Sequence, residues 1–215
     1  MPKCLDGSVE DILNVIAPHA GQCLHIPAGT PHAAAGDVEI LEIGESSPMD
    51  FCLCGWGEEV HPDEFDPALT LVDALDFMSY KKFGDSPVKP ANDGKQPAND
   101  DTLAPGATRL IDLPQFRTDR IPLTAPLQVR REIGPFLLYS CVKGGASVQL
   151  ALAGGQTLDY PVKAGETLLV PAECPEFVLA PTERDTVLLE TSVVRNDADP
   201  YINPDASPTL PEDAE

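Results

Sequence analysis

The chain has 215 residues, 42% of them hydrophobic and 6% aromatic, enough apolar material to core one or two domains. Lys and Arg number 14 against 35 Asp and Glu, a formal net charge of −21. That balance excludes a basic nucleic-acid footprint and electrostatic attraction to anionic lipid. No apolar run approaches the roughly 18 residues of a membrane span. Asp6, Glu10 and Asp11 interrupt any apolar leader. A soluble cytoplasmic protein is expected.

The first predicted element is a short helix from Ser8 to Ile16. Ser8 can cap it, and Val9, Ile12, Leu13 and Ile16 make one apolar stripe. Short strands follow at 22–27 and 38–43. Cys52 and Cys54 would share one face of a strand, and a one-residue gap is not the usual zinc spacing. With Cys4, Cys23, Cys141 and Cys174 they make six cysteines without regular spacing, which points to free thiols in a reducing compartment. A second helix is predicted over 67–79. Asp66 is a natural cap and Pro67 suits the first helical position. Ala68, Leu71, Val72, Leu75 and Met78 then recur at helical spacing.

Residues 81–107 read as a linker rich in Pro and Asp. The tetrad Pro-Ala-Asn-Asp occurs there twice, at 90–93 and 97–100, and no apolar period runs through it. The region 108–195 then reads as all strand. The runs PFLLYSCV, ASVQLALA, TLDYPV, ETLLVPA, EFVLAP and TVLLETSVV are separated by Gly, Pro or Asp, the pattern of a β-sandwich or barrel. Residues 196–215 hold six acidic residues and no Lys or Arg, and read as a solvated acidic tail.

One unit occurs twice. Residues 21–32 read GQCLHIPAGTPH and residues 165–176 read GETLLVPAECPE, at an offset of 144. Each is a glycine turn, a short strand, Pro-Ala and a second turn. In the first copy Gly21, Pro27, Gly29 and His32 fit the second conserved motif of the cupin family. There the proline ends strand pairing and the histidine points into a barrel, where neutral imidazole suits zinc. In the second copy Glu173 replaces the glycine and Glu176 the histidine, which predicts a jelly roll without metal.

The run IPAGTPHAAAGDVEILEIGESS, 26–47, closely resembles type I mannose-6-phosphate isomerases. FCLCGWG at 51–57, the predicted second helix and YPVKAGETLLVPA extend the likeness over nearly the whole chain. It covers only the C-terminal half or so of the family's usual protein. The resemblance implies an all-β tandem cupin of double-stranded β-helix jelly rolls with short helices. The first roll, at 1–80, would be incomplete, the linker would follow, and 108–195 would be a metal-free C-terminal cupin. It also implies interconversion of mannose 6-phosphate and fructose 6-phosphate by proton transfer between C1 and C2, with zinc as Lewis acid. His32 takes the place of the last zinc ligand and Glu42 that of the active-site glutamate.

Departures from the family pattern bear on that activity. No Gln-x-His pair precedes His32, and Gln22-Cys23-Leu24-His25 has different spacing. The family's active-site arginine falls on Cys52, which has neither fixed charge nor a fork of donors. The aspartate of the same segment falls on Gly55. One histidine does not hold catalytic zinc, which takes three protein ligands. Three readings stay open: a family isomerase that is assisted by another chain or is a fragment of one, a non-catalytic cupin that binds a sugar or a partner, and a non-functional truncation. The resemblance implies a sugar phosphate as the ligand. Open sheet edges admit self-association or a partner chain that supplies the missing strands. Other polar residues have plainer readings. Glu42 also fits a solvated strand-end carboxylate, His25 a barrel or interface residue, and His19 and His61 surface loops. Trp56 fits a packing anchor. Arg130 and Arg131 suit either a substrate phosphate or nearby carboxylates.

Overall fold

The computed structural model describes residues 11–45, 51–53, 71–81, 104–132, 134–152 and 154–193. The chain divides into two compact units, Met1–Asp93 and Gly94–Glu215.

In the first unit the only helix among the described residues is α1, Leu71–Phe77. It lies inside the predicted span 67–79, whose first four residues fall outside the described set. Of the expected helix Ser8–Ile16, residues 11–12 lie in a 3₁₀ turn, residues 13–16 are not helical, and residues 8–10 are not described. Without packing, one short amphipathic stripe does not offset the cost of helix nucleation. The strands expected at 22–27 and 38–43 also do not form ladders. The only bridge there is at Leu24. Val38, Ile40 and Leu41 are exposed instead of packed.

The second unit is all strand among its described residues. Its nine strands are β1 Thr108–Asp112, β2 Phe116–Leu123, β3 Leu127–Arg130, β4 Leu137–Lys143, β5 Gly145–Ala151, β6 Thr157–Lys163, β7 Thr167–Val170, β8 Glu176–Pro181 and β9 Thr186–Val193. They form a five-stranded sheet, β1-β2-β9-β4-β7, and a four-stranded sheet, β3-β8-β5-β6. Antiparallel pairing is nested: β2 with β9, β3 with β8, β4 with β7, β5 with β6. A long hairpin folded over on itself in this way is a jelly roll, with β1 added at one edge. The fold is therefore all-β, as expected, and the roll spans 108–193.

The alternation of strand residues places the core. Ile121 and Leu123 on β2, Leu137, Tyr139 and Cys141 on β4, Val148 on β5, Val162 on β6, Phe177 and Leu179 on β8 and Leu188 on β9 form one buried cluster between the sheets. Tyr139 and Phe177 join the two sheets edge to face, with ring centroids 5.9 Å apart. On the other face of the larger sheet the buried Thr118 and Thr191 hydroxyls bond at 3.1 Å, and Ser140 bonds Thr167 at 2.8 Å.

Strands β1 to β3 are absent from the clear apolar runs, because β2 reads FRTDRIPL. Its Pro122 is tolerated because β1 pairs with β2 only at Arg117–Arg120, so Pro122 lies beyond that pairing. Pro161 sits on β6, the edge of the smaller sheet.

The chain passes from one sheet to the other at Gly144, between β4 and β5, with φ +73°. A Cβ there would lie 2.7 Å from Thr186 Oγ1 and 3.1 Å from Thr186 Cα. Thr186 has no room to yield, because its hydroxyl is 2.8 Å from the Gly145 carbonyl and 2.9 Å from that of Glu183. Gly144→Ala is expected to cost about 2–3 kcal/mol, left-handed strain plus the displaced hydroxyl. Denaturant unfolding at unchanged slope checks it.

Candidate functional site

The repeat predicted from sequence has a backbone counterpart. Thr30 N–H donates to Pro27 O at 3.1 Å, and Cys174 N–H donates to Pro171 O at 3.2 Å. These are the same four-residue turn at an offset of 144. Gly21 and Gly165, also equivalent, both have positive φ, 81° and 87°. The copies differ at the third turn residue. Gly29 has φ +77°, whereas Glu173 stays in the region that side chains favour.

In the first copy the turn is docked on α1. Ser79 N–H donates to Gly29 O at 2.7 Å, and a Cβ on Gly29 would meet the Phe77 carbonyl at 2.7 Å. Phe77 stacks on Phe51 at 5.7 Å. Glycine at 29 thus has two causes, its left-handed φ and the close approach of the helix end, and the motif alone does not show the second.

His32 follows this turn and is exposed. Its Nδ1 is 2.9 Å from Thr30 O. A carbonyl only accepts, so Nδ1 donates, and neutral His32 carries its lone pair on Nε2. This is the tautomer of an Nε2 metal ligand. Glu42 is also exposed, in irregular backbone rather than at a strand end. Cys52, at the family's arginine position, is half-buried. His25 is half-buried and His19 exposed. Gly55, Trp56, His61 and Cys54 lie outside the described residues. Among the described residues no three His, Cys, Asp or Glu side chains come together in a group able to hold a metal ion. His32 and Glu42 are therefore not built into a donor set there, and the described residues alone do not fit zinc.

In the second copy the position equivalent to His32 is Glu176, at the start of β8. Phe177 beside it is buried in the core, and Glu176 points the other way. It accepts from Gln128 and Arg130, both at 3.1 Å, on the exposed face. Arg130 is thus spent on a surface ion pair, one that contributes little to stability. Arg131 is spent differently. Its Nε donates to Cys174 O at 3.3 Å, Nη2 to Pro171 O at 2.6 Å and Nη1 to Pro135 O at 2.5 Å. Its own N–H donates to Pro175 O. Arg131 ties the second turn to the chain around 131–135. Between the two sequence readings of this Arg pair, Arg130 matches pairing with a carboxylate, and Arg131 holds backbone carbonyls, a role neither reading foresaw.

Sequence reasoning missed a polar row inside the roll. Register pairs Arg109 with Asp119, Asp119 with Glu190 and Glu190 with Tyr139, across β1, β2, β9 and β4. Directly paired residues share a face, and here it is the core face. Arg109 Nε donates to Asp119 Oδ1 at 2.9 Å and its Nη2 to Oδ2 at 3.3 Å. Asp119 is only 7% exposed, so this fork offsets a large desolvation cost. Tyr139 OH donates to Glu190 Oε2 at 2.5 Å. Burial and the adjacent Glu190 push the Tyr139 hydroxyl pKa upward, so it stays a donor. Burial, reinforced by Asp119, pushes Glu190 above the usual carboxylate range, against the lowering effects of Tyr139, Arg131 and Arg109. Burial also raises the Cys141 thiol, whose Sγ–H faces the Lys143 carbonyl at 3.4 Å. It is a packed thiol, not a nucleophile.

No family model matches the chain, and no curated protein matches it. Solved structures similar to it include a cupin superfamily protein from Desulfitobacterium hafniense, at 18% identity and TM-score 0.32, covering 41% of this chain and 76% of that one. KdgF from Halomonas sp. is 15% identical with TM-score 0.34, covering 44% of this chain and 86% of that one. A mutant of Bacillus subtilis oxalate decarboxylase is 14% identical with TM-score 0.34, covering 40% and 24%. The jelly-roll assignment rests on the strand order itself. No helix among the described residues is long and apolar enough to cross a membrane.

Proposed function

We propose that this chain is a mannose-6-phosphate isomerase-like cupin protein that does not turn over sugar phosphate by itself. The observation that supports the reading is the duplicated Pro-Ala turn. Its first copy carries His32 with Nε2 as the lone-pair nitrogen, and its second copy lies in a roll whose equivalent position is an ion-paired glutamate. In this reading the 108–193 roll is the metal-free member of the pair. His32 and Glu42 are the residues the first member contributes to a sugar-phosphate centre. Zinc bound there would supply Lewis-acid polarisation of the sugar oxygens. The described residues provide too few donors, so the rest must come from outside them, on this chain or on a partner that completes the strands.

The purified chain, treated with excess zinc and desalted, is expected to retain well under one zinc and to form no fructose 6-phosphate from mannose 6-phosphate in a coupled assay. Near one zinc per chain, lost on His32→Ala, overturns the claim that it is incomplete alone. Grafting the zinc-binding strands of a type I mannose-6-phosphate isomerase ahead of Gly21 tests the family reading. The graft is expected to retain zinc in a His32-dependent way. A folded graft that retains none favours the second reading, a non-catalytic binding module, which Cys52 in the arginine position also supports.

A further inference from the structure

We propose that the facing carboxyls of Asp119 and Glu190 make the 108–193 roll a proton-sensitive element, tight when Glu190 carries a proton and loosened when both are ionised. The two residues are directly opposite on β2 and β9, on the core face. Like charges at such a pair are destabilising, and the more so away from water. Each carboxyl has a side-chain donor on a neighbouring strand, and the Asp119 donor, Arg109, also reaches Asp112 at 3.4 Å. Arg109 on β1 forks both Asp119 oxygens, and Tyr139 on β4 donates to Glu190. Arg131, beyond β3, is the remaining cation that acts on Glu190. Its donors already hold the carbonyls of Cys174, Pro171 and Pro135. The other neighbours of Tyr139, Leu168 on β7 and Phe177 on β8, bring no charge. Asp119 is therefore neutralised in place, whereas Glu190 has a hydroxyl donor and no cation of its own.

The direction of the effect follows from burial. Glu190 binds its proton more tightly in the folded roll than in the unfolded chain. Its contribution to stability is complete below the unfolded Glu pKa of about 4.3 and is lost as pH rises through the folded value. Ionisation puts a second negative charge beside Asp119 at the seam of β2, β9 and β4, the strands that join the larger sheet.

Two measurements on the full chain test this. Carboxyl-carbon NMR should show Glu190, assigned through the bonded backbone, titrating above the other glutamates. Thermal unfolding between about pH 4 and pH 8 should show wild type losing Tm faster than Glu190→Gln, with the gap changing by at least about 4 °C. The general self-repulsion of a chain of charge −21 is nearly common to both proteins and leaves the difference. Parallel Tm curves, or a Glu190 carboxyl that titrates with the exposed glutamates, overturn the proposal. The NMR titration of wild type decides alone where Glu190→Gln does not fold.

Discussion

Phe177→Ala is expected to lower the unfolding free energy of the roll by about 3–5 kcal/mol. Phe177 is 1% exposed and stands at the centre of the core, on β8. It pairs with Val129 across the smaller sheet and meets Tyr139 of the larger sheet edge to face. Truncation removes a full ring and leaves a void that strands on both sides are too constrained to fill. It also strips the apolar cover from Tyr139, whose hydroxyl is aimed at Glu190. Urea unfolding followed by near-ultraviolet circular dichroism measures the loss. Phe177→Leu, which keeps most of the volume, should recover more than half of it. Equal losses from the two variants would contradict a packing origin.

Arg131→Met is expected to cost about 2–3 kcal/mol, and Arg131→Lys nearly as much. The guanidinium reaches three carbonyls in different directions, Cys174, Pro171 and Pro135. A lysine ammonium is a single point on a flexible stem and cannot span that fork. Methionine keeps the apolar stem and removes every donor. The local consequence is release of the 171–175 turn from the 131–135 segment. Amide hydrogen exchange should accelerate at Cys174, whose N–H bonds Pro171 O, before it accelerates in β9. Full rescue by lysine would show that charge, not geometry, is what the site requires.

The roll and the row of charges inside it differ in how far the residues announce them. Strands β4 to β9 are legible because apolar residues alternate there and Gly or Pro punctuates them. Strands β1 to β3 are less so. In β2 the inward positions include Asp119, and an apolar-in, polar-out template reads an inward aspartate as a break. Its partner Arg109 lies ten residues away. Tyr139 and Glu190 are separated by 51 residues. No local pattern ties these residues together, because their pairing is set by register across four strands.

In the first unit the limits run the other way. The Pro27–Thr30 turn forms where the motif places it, since Pro27 and Gly29 encode its dihedral angles locally. The helix at 71–77 forms within its predicted span. Segments 22–27 and 38–43 have strand-like composition but need a neighbouring strand for their hydrogen bonds, and no ladder forms there among the described residues. His32 has its tautomer set by Thr30, two residues away. A donor set around it requires several segments to converge, and convergence is a tertiary property. The sequence by itself determined the turns, the duplicated unit, the charge and the all-β character of 108–193, because each is written in neighbouring residues. Only the tertiary structure decided the nested strand order, the Arg131 ties and the pairing of Asp119 with Glu190, because these depend on which distant backbones lie side by side.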